Sequence, residues 1–402
     1  MTQNIENNIK KRTIYFDDVY FSEGFSVVGP KELKGKLGDH FDFALINDKY
    51  DQKTFEKAER KMFETAIDGV MAKSKVLPIE VDAILGGDLL DQIVSTSFSA
   101  RKSSASFFGM YTACATYAQS LIMGAALIHG YYNNVICISG SHFSSAERQY
   151  RYPLELGVLR SPMTQWTCTG VGATLLTKNA HTPNTPKITA ATPGRVIDYD
   201  IKDVNNMGAA MAPAACDTLK QFFSDTGKSP QDFDLILTGD LGKLGKEILL
   251  DLSKQEGFDL TDNLADCGAS LYFTKQKTFQ GGSGAACSAI VVNSIILDNL
   301  RSGQMRNLLL VGTGALMSQL TAYQGDGIPA VAHLVEITSS VKDAGREPLE
   351  KYYQPKKEEI KMKNEKNAKN NNSKNNNVKN KVNNSKSDSK NEMKNKKENK
   401  DK

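Results

Sequence analysis

Apolar residues along this chain fall into two rhythms. Short apolar runs, Ala83–Leu85, Val135–Ile138, Leu235–Leu237 and Leu308–Val311, alternate with stretches of helical period at about Phe55–Ser74, Cys114–His129, Ala209–Asp225 and Cys287–Leu300. Near-continuous apolar character over so few residues predicts strands buried on both faces and mostly parallel. Strands alternating with helices give an α/β chain. No apolar run reaches the ~18 residues of a membrane span. The nearest, Thr112 to Tyr132, is interrupted by Thr, Gln, Ser and His and reads as a buried helix.

The pattern also repeats. Pro78–Leu89 and Pro230–Leu241 are identical at seven positions, at an offset of 152. Downstream of each copy a cysteine (Cys114, Cys287) opens a helix, and a glycine (Gly130, Gly303) follows 16 residues later. An apolar strand comes next, then Ser139-Gly140-Ser141 or Gly312-Thr313-Gly314. Both glycines suit left-handed helix caps. Two matches in one order predict two related α/β halves in tandem, 14–180 and 187–338. Residues 1–13 are polar and expected to fray. Residues 356–402 are Lys/Asn-rich, lack the apolar area that would offset ordering entropy, and are expected to be disordered.

The charge count divides the same way. The net charge of +4 invites a nucleic-acid reading. The tail, however, holds 16 Lys against 7 acidic residues, nine net positive charges, and leaves 34 Lys/Arg against 39 Asp/Glu in 1–355. A mildly acidic core disfavours a nucleic-acid partner, because phosphate binding needs clustered cations. Near an anionic leaflet, each tail lysine would add up to ~1 kcal/mol of attraction. A plain solvated extension is the alternative. Six scattered cysteines without a C-x-x-C pair or a signal peptide fit reduced, intracellular thiols, and neither a disulfide framework nor a zinc site is expected.

Cys114 carries the first candidate chemistry. It lies in Gly109-Met-Tyr-Thr-Ala-Cys114-Ala-Thr-Tyr-Ala-Gln119, at the start of a long helix, where free N–H groups and the helix dipole favour a thiolate. Ala113 and Ala115 suit a tight turn into that helix. A buried structural cysteine is the alternative. Other scans are weak. Gly239–Glu247 lacks phosphate-loop spacing and a Ser/Thr after the Lys. His333 reads as a core histidine, and His40, His129 and His181 form no ligand pattern.

Two repeated halves with a cysteine opening the central helix of the first resemble the thiolase and β-ketoacyl synthase superfamily. Thr169-Gly-Val-Gly-Ala173-Thr-Leu-Leu resembles the glycine-rich strand closing the first half in those enzymes. Five longer motifs, Gly140–Glu155, Gln165-Trp-Thr, Ile201–Ala215, Thr238-Gly-Asp-Leu-Gly242 and Gly281-Gly-Ser-Gly284, resemble the stage V sporulation protein AD family, over about residues 14–338. The resemblance implies a thiolase-like αβαβα layered fold of two tandem halves. It further implies dipicolinic acid (pyridine-2,6-dicarboxylate) binding, with uptake into the spore and release at germination. The implied partners are membrane proteins of the same sporulation operon. The implied location is in the forespore or spore, peripheral to the spore inner membrane, as a homodimer.

Condensing relatives need His-His or His-Asn opposite the cysteine. By repeat and family pattern those loops read Thr238-Gly239-Asp240 and Gly282-Ser283-Gly284, with neither residue type. Without a base, a thiol of pKa ~8.5 is only a few per cent ionised at pH 7, and Asp240 nearby would depress that further. A non-catalytic binding pocket is therefore expected. The alternative is a Cys114-dependent acyltransferase or 3-oxoacyl synthase-like condensing enzyme. A planar dianion wants N–H donors and positive charge. Candidate ligand contacts are Cys114, His142, Arg148, Trp166, Asp240, Ser283 and Gly284, with Arg151 and Tyr150 beside them. Each has a plainer reading: His142 as a cap at a strand end, Arg148 and Arg151 pairing with Glu147 and Glu155, and Trp166 as packing. No cofactor or resident metal is expected. Calcium could accompany the dicarboxylate through Asp240, but one carboxylate falls far short of the 6–8 oxygens that calcium takes.

Overall fold

The computed structural model describes residues 10–150, 159–345 and Tyr352, apart from the side chains of Gln92 and residues 148–150. The tail expected to be disordered lies outside them. At the other end residues 1–9 of the stretch expected to fray also lie outside them, while residues 12 and 13 are held. The Thr13 hydroxyl donates to Asp225 at 2.8 Å, and Arg12 pairs with Asp217 at 2.9 Å.

Five strands of the first half are β1 (Tyr20–Val28), β2 (Ala83–Gly87), β3 (Ser106–Gly109), β4 (Asn134–Ser141) and β5 (Gly170–Thr177). They pair in the order β3-β2-β4-β5-β1. The second half contributes β6 (Lys187–Thr192), β7 (Leu235–Thr238), β8 (Leu264–Asp266), β9 (Asn307–Ala315) and β10 (Ala330–Thr338), in the order β8-β7-β9-β10-β6. Strand for strand the orders are the same, so the sequence repeat is a repeat of topology. Tyr20 pairing with Lys187 joins β1 to β6.

The sheet is mixed, which corrects the expectation of mostly parallel strands. β2 runs parallel to β3 and β4, and β7 to β8 and β9. β5 is antiparallel to β4 and β1, and β10 to β9 and β6. Apolar runs report burial of both faces and carry no record of direction. Both faces are buried here because side chains alternate across each strand. Leu235 and Leu237 enter the core between the halves, while Ile236 enters an outer core; Ala83 and Leu85 face inward and Ile84 outward.

Helices fill the layers that this alternation requires. α1 (Phe55–Ser74) covers the outer face of the first half through Met62, Phe63, Ala66 and Val70. Its Thr54 cap accepts the Lys57 N–H. α2 (Thr116–Gly130) lies in the central layer, and α3 (Phe143–Tyr150) follows β4. α4 (Met207–Thr226) covers the second half, and α5 (Gly242–Gln255) packs beside it. The second central helix, α6, runs from Cys287–Val291 through a π turn, Val292–Ile296, to Leu297–Ser302. Gly303 caps it at φ 76°, as expected. Gly130 is instead the last helical residue of α2, which Tyr131 ends. The helix expected from Cys114 begins two residues later, at Thr116, because 113–115 form a tighter 3₁₀ turn.

Candidate functional site

That 3₁₀ turn holds Cys114. It bends through Ala113 at φ 50°, a left-handed conformation that costs a β-carbon residue of order 1 kcal/mol. Close packing holds the strain in place. A β-carbon on Gly314 of β9 would lie 2.3 Å from the Thr112 carbonyl oxygen, and one on Gly87 would lie 2.0 Å from that of Met110. The glycines at the ends of β2 and β9 therefore let two strands close on the turn. Cys114, 8 % exposed, ends up at a narrow pocket of about 40 Å³ walled by Leu89, Tyr111, Ala146, Met207 and Met317.

The opposite wall is Ser283 and Gly284. A two-stranded parallel ladder fixes it, with Gly282 opposite Trp166 and Ser283 opposite Thr167. The Cys114 sulfur is 3.8 Å from Ser283 Oγ. Behind that wall lies Asp240, 1 % exposed. Its Oδ2 accepts the Ser283 hydroxyl at 2.8 Å and the Gly284 N–H at 3.0 Å, and its Oδ1 accepts the Thr313 hydroxyl at 2.9 Å. Gly284 stands at φ 101°, where a β-carbon would be strained and would also meet Ser141 Oγ at 2.8 Å. Gln165 ties the loops together, donating to the Asp240 carbonyl at 2.6 Å and to that of Gly282 at 3.0 Å. Asp266 anchors the loop from beneath by accepting the Leu241 and Gly242 N–H groups.

The electrostatics oppose a thiolate. Burial pushes the Cys114 thiol well up, and the adjacent Asp240 carboxylate pushes it further. Burial also raises Asp240 against stabilising hydrogen bonds from the Cys114 thiol, Ser283, Gly284 and Thr313, and carries Asp266 to about 6. The helix-start expectation of a favoured thiolate is thus overridden by desolvation. The donor expected to serve a ligand, Gly284 N–H, is already held by Asp240. A calcium ion at Asp240 would have to displace these donors. Among the described residues no group of three or more His, Cys, Asp or Glu side chains could hold a metal.

His142 and Trp166 line a different, larger cleft, of about 740 Å³, with Lys31, Lys34, Asp48 and Lys275. His142 Nδ1 accepts the Ser144 N–H at 3.1 Å, so Nε2 carries the proton and donates to the Asp48 carbonyl at 2.7 Å. Nδ1 thus caps α3 and Nε2 ties it to the Asp48 loop, so both nitrogens are engaged, and burial lowers the ring's pKa. Trp166 stacks on Phe143 at 3.7 Å and 4°, and the Lys31 ammonium sits 3.6 Å from the ring centroid. Two groups that close must take opposite faces, so neither face is open to a pyridine ring. The side chains of Arg148 and Tyr150 lie outside what is described, as do Arg151 and Glu155 altogether. Glu147 accepts the Thr167 hydroxyl at 2.9 Å.

Thr313, Gln165 and Asp266 were not among the sequence candidates. Thr313 lies in the repeated Gly312-Thr313-Gly314, which was the available signal. All six cysteines are buried and free. Among the described residues no helix is long and apolar enough to cross a membrane.

Two repeated α/β halves, with a cysteine turn leading into the central helix of the first, make this a thiolase-like fold. Two crystal structures of OleA from Xanthomonas campestris, one of a variant and one with cerulenin bound, superpose with TM-scores of 0.52 and 0.51. They are 12 % and 13 % identical, and each alignment covers 81 % of this chain and 99 % or 98 % of theirs. Stage V sporulation protein AD of Bacillus subtilis (strain 168) is 38 % identical over 325 residues, 81 % of this chain and 95 % of that protein. The stage V sporulation protein AD (SpoVAD) family profile matches residues 10–338. The chain belongs to the stage V sporulation protein AD family.

Proposed function

We propose that this chain binds dipicolinic acid at the Cys114 pocket without turning it over, and supports its uptake into the spore and release at germination. The family resemblance supplies the ligand. The absence of turnover rests on one observation: Asp240, on the loop where the family pattern puts an activating base, holds the Ser283 and Gly284 donors itself. A thiol kept protonated beside a carboxylate is a poor nucleophile. A ring bearing two carboxylates needs more room than about 40 Å³, so Met207 and Met317, flexible side chains suited to repacking, shift on binding. The chain works at the inner membrane of the spore as a peripheral protein beside membrane proteins of its operon.

Homodimerisation belongs to this reading. β3 pairs with β2 on one edge, and all four of its residues are exposed. Phe107 and Phe108 on β3, Tyr111 just after it and Met123 on α2 are large exposed apolar side chains. An unprotected apolar edge strand invites pairing with another strand.

Titration of the full chain with dipicolinate by calorimetry tests the function. Heat that saturates with ligand and disappears in Cys114→Ala supports binding at this pocket. No heat at millimolar ligand removes it. Acyl-thioester treatment tests the rival condensing reading: rapid acylation of Cys114 at neutral pH with turnover would establish an enzyme instead.

A further inference from the structure

A buried carboxylate without a cation is costly to keep charged, and a second anion beside it raises that cost. Asp240 stands in this position behind the pocket wall. Titratable groups face it from several elements: Cys114 from the turn before α2, Asp266 and Cys267 from the end of β8, and Cys287 from the head of α6. Its remaining neighbours are neutral: Ser283 and Gly284 from the short ladder, Thr313 from β9, and Gln165 on its carbonyl. Lys243, the nearest basic residue along its own loop, is exposed. Among the described residues no lysine, arginine or histidine forms an ion pair with Asp240.

We infer that this pocket takes up an anionic ligand only together with one proton, which Asp240 carries. The inference rests on the proposed dipicolinate site and adds its coupling to pH. Ionised, Asp240 accepts the very donors that an incoming carboxylate needs, the Ser283 hydroxyl and the Gly284 N–H. Protonated on Oδ2, Asp240 donates to Ser283 Oγ instead. The Ser283 hydrogen then turns into the pocket, because a hydroxyl donates once and accepts on its lone pairs. The same proton removes the like-charge repulsion. One proton passes from buffer to Asp240 for each dianion bound, so the pocket gains a single net negative charge. Burial already biases Asp240 towards holding that proton.

Calorimetry of dipicolinate binding in two buffers of different ionisation enthalpy counts the protons. The useful range is about pH 6 to 8, where both ligand carboxyl groups are ionised. Expected is an uptake approaching one proton per site at the upper end, with the association constant falling up to about tenfold per pH unit. In Asp240→Asn the uptake and the slope vanish, and binding at the upper end tightens. Zero uptake by the unaltered chain, or undiminished uptake in Asp240→Asn, overturns the coupling while leaving dipicolinate binding intact. No binding at any pH overturns both. Should Asp240→Asn not fold, infrared difference spectra of the unaltered chain decide: a protonated-carboxyl band growing on ligand addition supports the inference, and its absence refutes it.

Discussion

The Ser283 hydroxyl donates to Asp240 at 2.8 Å while the Cys114 sulfur lies 3.8 Å from the same serine oxygen. This line of three side chains keeps the thiol neutral from both directions. Burial disfavours the thiolate outright, and the adjacent carboxylate repels it.

Alkylation of Cys114 by iodoacetamide at pH 7 is therefore expected to run at least about tenfold slower than alkylation of an ordinary free thiol, since each unit of pKa removes about tenfold of thiolate. Asp240→Asn removes the charge and leaves the shape, so alkylation should accelerate. Mass spectrometry of the Cys114 peptide over time reads both rates. Equal rates in the two proteins would mean that access, and not charge, limits the thiol.

Glu32 gives a pH-dependent stability. Its Oε1 accepts the Tyr272 hydroxyl at 2.5 Å and the Thr169 N–H at 3.2 Å, while its Oε2 is buried without a partner. Burial, partly offset by the Tyr272 bond, raises its pKa from 4.5 to about 7. The folded chain thus holds a proton that the unfolded chain releases above about 4.5. This contribution is full below that pH and is lost as the pH rises through about 7, a difference on the order of 3 kcal/mol. His333, lowered to about 4 by burial, acts in the opposite sense as the pH falls below 6.5. Thermal melts of Glu32→Gln against the unaltered chain at about pH 5 and 8 isolate the first effect. The variant should lose less stability across that interval; parallel curves would show Glu32 ionised throughout.

Gly284→Ala should damage fold and site together. The residue sits at φ 101°, and the added methyl would approach Ser141 Oγ to 2.8 Å. Ser141 is itself committed, donating to the Cys168 carbonyl at 2.8 Å and accepting the Ala286 N–H at 3.3 Å. Strain of this kind costs roughly 1–3 kcal/mol. The Gly284 N–H would also move off Asp240, so ligand binding should fall by more than the stability loss explains. Denaturant unfolding and calorimetry on one preparation separate the two.

Much of the fold was legible because its signals are redundant. Pro78–Leu89 and Pro230–Leu241 repeat as sequence, and strand order repeats with them. Strand direction was not legible: Leu310 in parallel register with Leu237 and in antiparallel register with Val335 has the same burial on both sides. The site was half legible. Cys114, Ser283, Gly284 and Asp240 do converge, since Cys114 and Asp240 lie in the repeated motifs and Ser283 and Gly284 in the glycine-rich family motif. What Asp240 does there was hidden, because a hydrogen-bond partner 43 residues away leaves no local pattern. His142 and Trp166 line a different cleft from these four. Their own neighbours, Ser144, Asp48, Phe143 and Lys31, occupy the nitrogens and the ring faces.

The edge of β3 carries the last expectation. Successive strand residues point to opposite faces, so Phe107 and Phe108, 38 % and 41 % exposed, leave apolar surface on both sides of one unpaired edge. A second copy pairing along this edge about a two-fold axis would satisfy the free N–H and C=O groups and cover both rings at once. Phe108→Lys places a charge in that contact while leaving the β2 pairing intact. Sedimentation of the unaltered chain at micromolar concentration should give a dimer, and the variant a monomer with its melting temperature measured alongside. A monomer in both cases would leave the edge without a self-partner. A dimer in both would move the interface elsewhere.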